Sequence, residues 1–369
     1  MATARRLYVS AGEPSGDAHA AALVRALKDV APHVDTDAMG GPGLRAAGAR
    51  IVEPSDRLGA MGLFEAATAL PQHLAALYRV QRRLSSNAYD AAVLIDYPGF
   101  HLRVARAART RDVPVLYYIA PQLWAWGAWR ARALRETVRL VASVLPFEAP
   151  LLNGLGIPAT FVGHPVVDAS RPRRDEARDQ LGIGEGRPVL ALLPGSRPGE
   201  ISRHWPIFRT AARTLAARHP GLVSVLAAAP GARYRLDDAP LLSASAPVAL
   251  AAADAALCKS GTATLEAAVA GTPMVIAYAL NPATFALARR LVQAPFIGLP
   301  NLIAGRRVTE ELVQSDATPA RLAAALEPLL DRSGPTARRQ RDDLASVTTR
   351  LGPPGVATRV AALAAELAA

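Results

Sequence analysis

The chain has few of the features that mark several classes of protein. Cys258 is the only cysteine among 369 residues, which excludes a disulfide framework and is typical of a reducing compartment. No cysteine or histidine cluster has the spacing of a metal site. No uncharged apolar run reaches the roughly 18 residues that a membrane-spanning helix needs. The first residues do not read as a signal peptide, so we expect a protein of the cytoplasm.

What the chain has in excess is positive charge, with a formal net charge of +11. Such a balance favours an anionic partner: a phosphorylated substrate, a nucleic acid or an acidic membrane surface. The arginines are spread in short groups rather than in one block, and no RNA-binding signature accompanies them. We therefore expect no nucleic-acid partner. A surface that is simply basic remains the alternative explanation.

Short apolar runs alternate with longer amphipathic segments, the pattern of parallel α/β layers. The length indicates two domains, and a polar stretch at Ser170–Asp175 predicts the linker between them. The predicted strands are Leu7–Ala11, Ala91–Asp96, Pro114–Ile119, Leu140–Leu145, Val189–Leu193, Leu222–Ala229, Ala255–Cys258, Met274–Tyr278 and Phe296–Leu299. Helices are predicted between them, among others at Thr284–Leu291, Pro319–Leu330, Thr336–Leu351 and Ala357–Ala369. Two doubly wound domains of this kind would bind ligands at the carboxyl ends of their strands.

Two turns of the first half carry residues suited to chemistry. The segment Gly12–Asp17 (GEPSGD) follows a strand and opens a helix. Its backbone N–H groups could bind an anion, or Asp17 could simply cap the helix. Asp96 ends a buried strand, where it could accept a proton from a sugar hydroxyl or cap the next turn. The residues alone leave these alternatives open.

Three turns of the second half have a similar composition. Ser196 and Arg197 lie in a strand–turn–helix segment suited to binding a phosphate. The segment Lys259–Glu266 (KSGTATLE) has the same layout, and Glu266 could bind ribose hydroxyls or merely complement the helix dipole. Asn301 is interpreted as a strand-end residue, which is usually part of a turn.

Nine segments, each weak alone, together resemble the lipid-A-disaccharide synthase family over nearly the whole chain. They are Ser10–Asp17, Ala60–Glu65, Leu94–Phe100, Tyr118–Trp126, Leu145–Leu151, Phe161–Pro165, Leu192–Arg197, Lys259–Ala268 and Leu299–Gly305. The nearest rivals are another GT-B enzyme, such as the transferase that adds N-acetylglucosamine to a peptidoglycan lipid or a UDP-sugar epimerase, and a non-catalytic binding protein that has kept the fold.

The resemblance implies an α/β GT-B fold, in which two Rossmann-like doubly wound domains face each other across a cleft. Residues 1–168 would form the acceptor-lipid and membrane-contact domain, and 175–345 the UDP-sugar-binding domain. Residues 346–369 would return to the N-terminal domain of the same or a partner chain. The implied reaction transfers diacylglucosamine from UDP-diacylglucosamine to lipid X (diacylglucosamine 1-phosphate), with inversion, giving a β-1,6-linked disaccharide and UDP.

The resemblance also implies roles for particular residues. Asp96 matches the proposed general base, and Glu13 and Asp17 match the acceptor-side loop. Arg197 and Asn301 complete the expected catalytic set. The expected contacts of the donor's UDP are Ser196, Arg197, Ser260, Gly261, Thr262, Glu266 and Gln314. Neither a metal nor a cofactor is expected, since helix N-termini and Arg197 would neutralise the diphosphate.

Acylated substrates would bring the protein to the cytoplasmic face of the inner membrane. Met61, Leu63 and Phe64, followed by an apolar stripe at Leu70, Leu74, Leu77 and Leu84 and by Arg79, Arg82 and Arg83, predict a membrane-contact surface. An ordinary core helix would show the same periodicity. The resemblance further suggests a homodimer that exchanges C-terminal helices.

Overall fold

The computed structural model describes residues 5–55, 63–86, 88–125, 129–229, 231–234, 241–281, 284–285 and 294–369, and for 63–70 it describes the backbone only. Met61 and Trp126 lie outside the described residues, as do the side chains of Leu63, Phe64 and Leu70 and most of the predicted helix Thr284–Leu291. The chain forms two compact units: Met1–Asp168 with Leu351–Ala369, and Ala169–Arg350.

The first unit contains a parallel sheet with the strand order β3-β2-β1-β4-β5-β6-β7. Its strands are β1 Arg5–Ala11, β2 Val34–Gly40, β3 Arg50–Pro54, β4 Ala91–Ile95, β5 Val115–Tyr118, β6 Leu140–Ser143 and β7 Ala159–Phe161. The helices among the described residues up to 168 are α1 Pro14–Val30, α2 Pro42–Ala46, α3 Leu63–Leu84, α4 Pro98–Arg109, α5 Arg130–Thr137 and α6 Glu148–Gly154. The central strand β4 is buried along its whole length, as expected of a strand covered on both faces.

The second unit contains a parallel sheet with the order β10-β9-β8-β11-β12-β13. Its described strands are β8 Val189–Leu193, β9 Val223–Ala227, β10 Leu241–Ala244, β11 Ala255–Lys259, β12 Met274–Tyr278 and β13 Glu310–Val313. Its described α-helices are α7 Arg174–Gln180, α8 Pro198–Arg218, α9 Ala246–Ala252, α10 Ala263–Val269, α11 Leu299–Ala304, α12 Pro319–Leu330 and α13 Pro335–Arg350. Phe208, Leu257 and Leu326 lie in the core between its sheet and helices.

The last helix, α14 Val356–Leu367, belongs to the first unit and packs on α1. The Asp168 carboxylate fixes its start by accepting the N–H groups of Gly355 at 2.7 Å and Val356 at 2.9 Å. Because α13 continues unbroken to Arg350, the segment that returns to the first unit starts at Leu351 rather than at residue 346. Likewise α7 already begins at Arg174, inside the predicted linker.

One predicted strand, Phe296–Leu299, is wrong. The chain there enters α11, whose first turn contains Pro300 and whose end is set by Gly305 in the left-handed conformation at φ 70°. Proline in the first turn and glycine just past the last turn are ordinary signals of a short helix. A run of four residues was too short to separate a strand from this helix entry.

Candidate active site

Most of the predicted site residues lie where each sheet reverses its strand order, whereas Asn301 and Gln314 lie near the edge strand β13. β1 lies between β2 and β4, and β8 lies between β9 and β11. Open α/β sheets bind ligands at the carboxyl edge of such a switch point. Ala11 pairs with Ile95, and Leu193 with Cys258, so the loops that follow these strands start side by side. The loops and helix starts that follow carry Glu13, Asp17 and Asp96 in the first unit, and Ser196, Arg197, Ser260, Gly261, Thr262 and Glu266 in the second.

The two loops of the first unit touch at Gly12. A Cβ atom on Gly12 would lie 2.3 Å from Cδ1 of Tyr97, so only glycine allows the tyrosine ring to lie this close. The ring of Tyr97 also stacks on Phe100 at a centroid distance of 5.6 Å. Gly12, the first glycine of the GEPSGD segment, therefore allows the two loops to pack closely.

Asp17 binds backbone within the protein. Its carboxylate accepts the N–H groups of Gly41 at 2.7 Å, Gly43 at 2.7 Å and Leu44 at 3.2 Å. It thus caps the start of α2 from a position on α1, rather than capping its own helix. The side chain is only 6% exposed. Glu13, by contrast, is partly exposed at the N-cap of α1, and its carbonyl accepts the N–H of Asp17.

Asp96 follows β4 in an unusual conformation. Both Asp96 and Tyr97 have φ of 51°, the left-handed region that few residues other than glycine adopt. The backbone is fixed on both sides: the Asp96 N–H donates to the Tyr118 carbonyl at 3.0 Å, and the Asp96 carbonyl accepts from His101 and Tyr117. The residue is partly exposed. A carboxylate on a rigid turn at the ligand edge of the sheet suits a general base.

In the second unit, Glu200 holds the Ser196–Arg197 turn in place. One oxygen of its carboxylate accepts the Ser196 N–H at 3.3 Å, and the other accepts from Lys259 Nζ at 2.9 Å. Burial raises the pKa of the Glu200 carboxyl, but Lys259 and the backbone donors more than offset this, so the pKa lies below its ordinary value. The ion pair joins the turn after β8 to the end of β11. Ser196 and Arg197 themselves are exposed.

Glu266 differs from the other acidic residues at these turns. It lies in the first turn of α10 and is partly buried, and burial raises the pKa of its carboxyl. Among the residues that the structure describes, its carboxylate has no hydrogen-bond or ion-pair partner. A carboxylate left unpaired in a partly desolvated place is suited to accept hydroxyl hydrogens from a ligand.

The turn between β11 and α10 combines fixed and open positions. Ser260 Oγ donates to the Ile297 carbonyl at 2.8 Å, so its hydroxyl hydrogen is used within the protein. Gly261 has φ of 148°, a conformation that favours glycine, and Thr262 is exposed. The start of α10 therefore presents an open backbone at Gly261 and Thr262, as anion-binding turns do.

Asn301 is completely buried and all its hydrogen-bonding capacity is used. Its amide nitrogen donates to Thr309 O at 2.9 Å and Glu311 Oε1 at 2.7 Å, and its oxygen accepts the N–H groups of Val308 and Thr309. An asparagine amide has two donor hydrogens and two acceptor positions. No capacity remains for a ligand, so the amide holds this loop together.

Gln314 is used in a similar way. Its Oε1 accepts the Leu280 N–H at 2.5 Å, and its Nε2 donates to the Leu280 carbonyl at 3.2 Å. The side chain therefore extends the pairing of β12 and β13 beyond the end of the strands. Its predicted contact with UDP is not part of this arrangement and stays a prediction.

The sequence reasoning missed several residues that shape these turns. His101, Tyr117, Glu200 and Glu311 bind the backbone of the predicted site loops, and Lys259 pairs with the Glu200 carboxylate. Lys259 lies inside a recognised motif and Glu200 just after one, but nothing in the sequence pairs the two. His101 directly follows the segment Leu94–Phe100, which was the only available signal for it. Tyr117 and Glu311 lie 21 and 13 positions from the backbone that they bind, so no local pattern marks them.

The part of the chain that the structure describes contains no group of three or more His, Cys, Asp or Glu side chains placed to hold a metal ion. Within the same residues, no helix combines the length and apolar character needed to span a bilayer.

Solved structures with similar folds share the two-sheet architecture. MurG of Acinetobacter baumannii superimposes with a TM-score of 0.57 at 18% identity, covering 99% of this chain and 100% of MurG. A UDP-GlcNAc 2-epimerase from Neisseria meningitidis bound to UDP-GlcNAc gives a TM-score of 0.64 at 12% identity, covering 96% and 98%. With its two parallel sheets and switch-point turns, the protein therefore has the GT-B fold of this class of glycosyltransferases.

The sequence comparisons narrow this class to one family. A family model described as lipid-A-disaccharide synthetase matches residues 7–362. The lipid-A-disaccharide synthase of Geobacter sulfurreducens is 38% identical over 99% of this chain and 98% of its own length. That of Azotobacter vinelandii is 41% identical over 90% and 92%. The chain belongs to the lipid-A-disaccharide synthase family, whose members are glycosyltransferases that form the lipid A disaccharide of lipopolysaccharide.

Proposed function

We propose that the protein transfers diacylglucosamine from UDP-diacylglucosamine to the 6-hydroxyl of diacylglucosamine 1-phosphate, with inversion, and releases UDP. The single observation that carries this proposal is that the family match spans residues 7–362, so both units and all the predicted turns lie within it. The first unit would hold the acylated acceptor and the second would hold the UDP-sugar donor.

The donor side is supported by the two turns of the second unit. The exposed Ser196–Arg197 turn offers a guanidinium to a diphosphate, and the open backbone at Gly261 and Thr262 offers N–H groups. The unpaired Glu266 carboxylate would accept the ribose hydroxyls. Charge that develops on the leaving UDP would be stabilised by Arg197 and the start of α10, through fixed dipoles that need no reorganisation.

The acceptor side is supported by Asp96. A single displacement with inversion needs a base that removes the proton of the attacking hydroxyl. Asp96 is a partly exposed carboxylate at the switch point of the first sheet, on a turn with fixed backbone. Its oxygen would take the proton as the hydroxyl attacks the anomeric carbon and the bond to UDP breaks.

The test is a product assay with purified protein, UDP-diacylglucosamine and radiolabelled diacylglucosamine 1-phosphate, in detergent. We expect a disaccharide and an equal amount of UDP, with EDTA leaving the rate unchanged. Asp96→Asn should abolish turnover and leave UDP binding intact. Asp112→Asn is the matched control, because Asp112 is also left-handed, with φ of 55°, but lies in the turn before β5, at the opposite edge of the sheet. Full activity of Asp96→Asn would refute the base assignment.

Membrane contact is proposed for one face of α3. Leu74 is 50% exposed and Tyr78 is 66% exposed, and Arg82 follows one turn later on the same face. Leu77 and Leu84, by contrast, are buried in the core. The predicted stripe therefore divides between the core and an apolar surface that can enter a lipid interface.

The three arginines predicted for this surface differ in their contacts within the protein. Arg79 makes a bidentate pair with Glu53 at 2.8 and 2.6 Å, which ties α3 to β3. Arg83 lies 3.5 Å from the Val52 carbonyl. Arg82 is exposed and, among the described residues, has no partner. Of the three, Arg82 is thus the side chain best placed to meet an acidic lipid headgroup.

Vesicle flotation tests this surface. We expect binding to vesicles that contain phosphatidylglycerol, and about 30-fold weaker binding when Leu74 and Tyr78 are both changed to Ser, since each loses apolar area worth roughly 1 kcal/mol. Leu151→Ser is the control, because Leu151 is 39% exposed but lies on α6. Equal binding by both variants would remove α3 from the contact surface. Recruitment to the cytoplasmic face of the inner membrane would follow from this contact.

A homodimer that exchanges C-terminal helices is also proposed. Its support is that α14 is joined to the second unit only through the short segment from Leu351 to Gly355 and packs on α1. Light scattering after gel filtration distinguishes a monomer from a dimer.

A further inference from the structure

His101 lies at the start of α4, fully buried beneath the Asp96 turn. Its Nδ1 is 2.7 Å from the Asp96 carbonyl oxygen, and its Nε2 is 2.9 Å from Ser10 Oγ. A carbonyl can only accept, so Nδ1 must carry the hydrogen. Burial lowers the pKa of His101, so the ring is neutral and Nε2 is an acceptor. The Ser10 hydroxyl, which also lies 3.6 Å from Met39 Sδ, is the donor placed to meet it. The contacts and the burial together favour the neutral tautomer with the hydrogen on Nδ1.

The same carbonyl receives a second hydrogen bond. The Tyr117 hydroxyl, from β5, donates to the Asp96 oxygen at 2.8 Å. Both lone pairs of this oxygen are thus occupied by buried side chains, one from the helix after the turn and one from the neighbouring strand. Ser10 on β1 supports the ring from a third element.

The hydrogen bonds from His101 and Tyr117 to the Asp96 carbonyl form a clamp. This clamp holds a backbone segment whose conformation is strained. Asp96 and Tyr97 are both left-handed, which costs roughly 1–2 kcal/mol for each such residue. Strained backbone persists only where the surroundings over-determine it. The two hydrogen bonds to one carbonyl, together with the packing of Tyr97 over Gly12, supply that constraint.

We propose that His101 and Tyr117 are positioning residues, which clamp the Asp96 carbonyl so that the carboxylate of the same residue is held in its reactive place. This inference rests on the proposed role of Asp96 as the base. The carboxylate direction follows from the backbone, because φ and ψ of Asp96 set the direction of its Cα–Cβ bond.

The surroundings of the ring exclude two other roles for His101. The rings of Tyr97, Phe100 and Tyr117 surround it at centroid distances of 5.8, 5.7 and 6.3 Å. Burial lowers the pKa of His101 to about 4, so the ring is neutral at physiological pH. With both nitrogens used inside the protein, His101 neither binds an anionic substrate nor transfers a proton.

Two conservative variants separate positioning from mere packing. An asparagine amide can place its nitrogen near the position of Nδ1, whereas a glutamine amide reaches toward the position of Nε2. We expect His101→Asn to keep kcat within about threefold of the wild type. We expect His101→Gln to lose about 30-fold or more in kcat, with KM for both substrates within about twofold, because a small displacement of a reacting group has effects of this size. Tyr117→Phe should fall between them.

The melting temperature of each variant is measured alongside, and kinetics are run well below it. Rescue by Asn but not by Gln, at similar melting temperatures, supports positioning. Equal kcat values for His101→Asn and His101→Gln would overturn it, and so would a rise in KM that accounts for the whole loss.

A second measurement does not depend on activity. In protein labelled with ¹⁵N-histidine, NMR should show His101 with a protonated Nδ1 and an unprotonated Nε2 between about pH 5.5 and 8. The opposite tautomer would overturn the clamp even in an active enzyme. If the wild type forms no disaccharide, the proposed function fails while this signal still reports on the clamp. If Asp96→Asn is inactive and His101→Gln is not, the positioning role alone fails.

Discussion

Replacing Asp17 tests whether the GEPSGD segment acts on substrate or on the fold. Asp17 is 6% exposed and accepts three backbone N–H groups at the start of α2, two of them at 2.7 Å. Asp17→Ala leaves these donors without their acceptor. Loss of a helix cap costs roughly 1–2 kcal/mol, and buried donors left unsatisfied add to it, so we expect a total of about 3 kcal/mol.

Differential scanning calorimetry measures this loss. In a unit of about 150–250 residues, 3 kcal/mol lowers the melting temperature by about 6–12 °C. Asp17→Asn is the matched variant: its amide oxygen can still accept from two of the donors, so we expect roughly half the shift. Turnover per folded molecule, measured well below melting, should stay near the wild-type value in Asp17→Asn. If Asp17→Ala melts at the wild-type temperature but has lost turnover, this reasoning is refuted and Asp17 contacts the substrate.

Three other changes have defined outcomes. Glu266→Gln should weaken UDP binding about tenfold in calorimetry, since one charge-assisted hydrogen bond is worth roughly 1.5 kcal/mol or more. In the wild type, the affinity for UDP should fall as the pH drops through the pKa of this carboxyl, which burial raises above that of an ordinary glutamate. The pKa of Glu200 is lower in the folded than in the unfolded protein, so its carboxylate stabilises the fold above the ordinary pKa of 4.5, and this stabilisation is lost as the pH falls through the folded pKa. In Glu200→Gln, the melting temperature should therefore depend less on pH over that acidic range. Asn301→Leu keeps the branched shape of the side chain but removes four buried hydrogen bonds. It should lower stability by about 3 kcal/mol or more, measured by chemical denaturation. A stable but inactive variant would instead give Asn301 a direct role.

The central strands were predictable from the sequence because both of their faces are buried. Such strands appear as continuous apolar runs, and those at Val189–Leu193 and Met274–Tyr278 have the predicted bounds. The strands that were not predicted lie toward or at the sheet edges, such as Arg50–Pro54 and Glu310–Val313. These strands are short and mix polar with apolar residues. Their pairing depends on a neighbour distant in sequence, so the local pattern carries little of the information.

The position of the site was predictable for a related reason. Small and polar residues directly after a buried strand mark the carboxyl edge of a parallel sheet, and strand order then brings two such turns together. The order itself cannot be obtained from the turns, since it is set by how the helices pack. The pairing of Ala11 with Ile95 joins residues more than eighty positions apart, in register that no local motif specifies.

What the sequence could not separate is a side chain that contacts the substrate from one that holds a turn. Asp17, Asn301 and Gln314 were predicted at the site as contacts, yet their polar atoms are used on backbone of this chain. Glu200 and Glu266 are both glutamates, but of these two carboxylates only that of Glu200 has a partner among the described residues. Hydrogen-bonding capacity decides the difference, because an acceptor that is already filled cannot bind a hydroxyl without first breaking a bond that stabilises the fold. Mutational loss of activity at a filled residue therefore reports on the turn, and only at an unfilled one such as Glu266 does it report on the ligand.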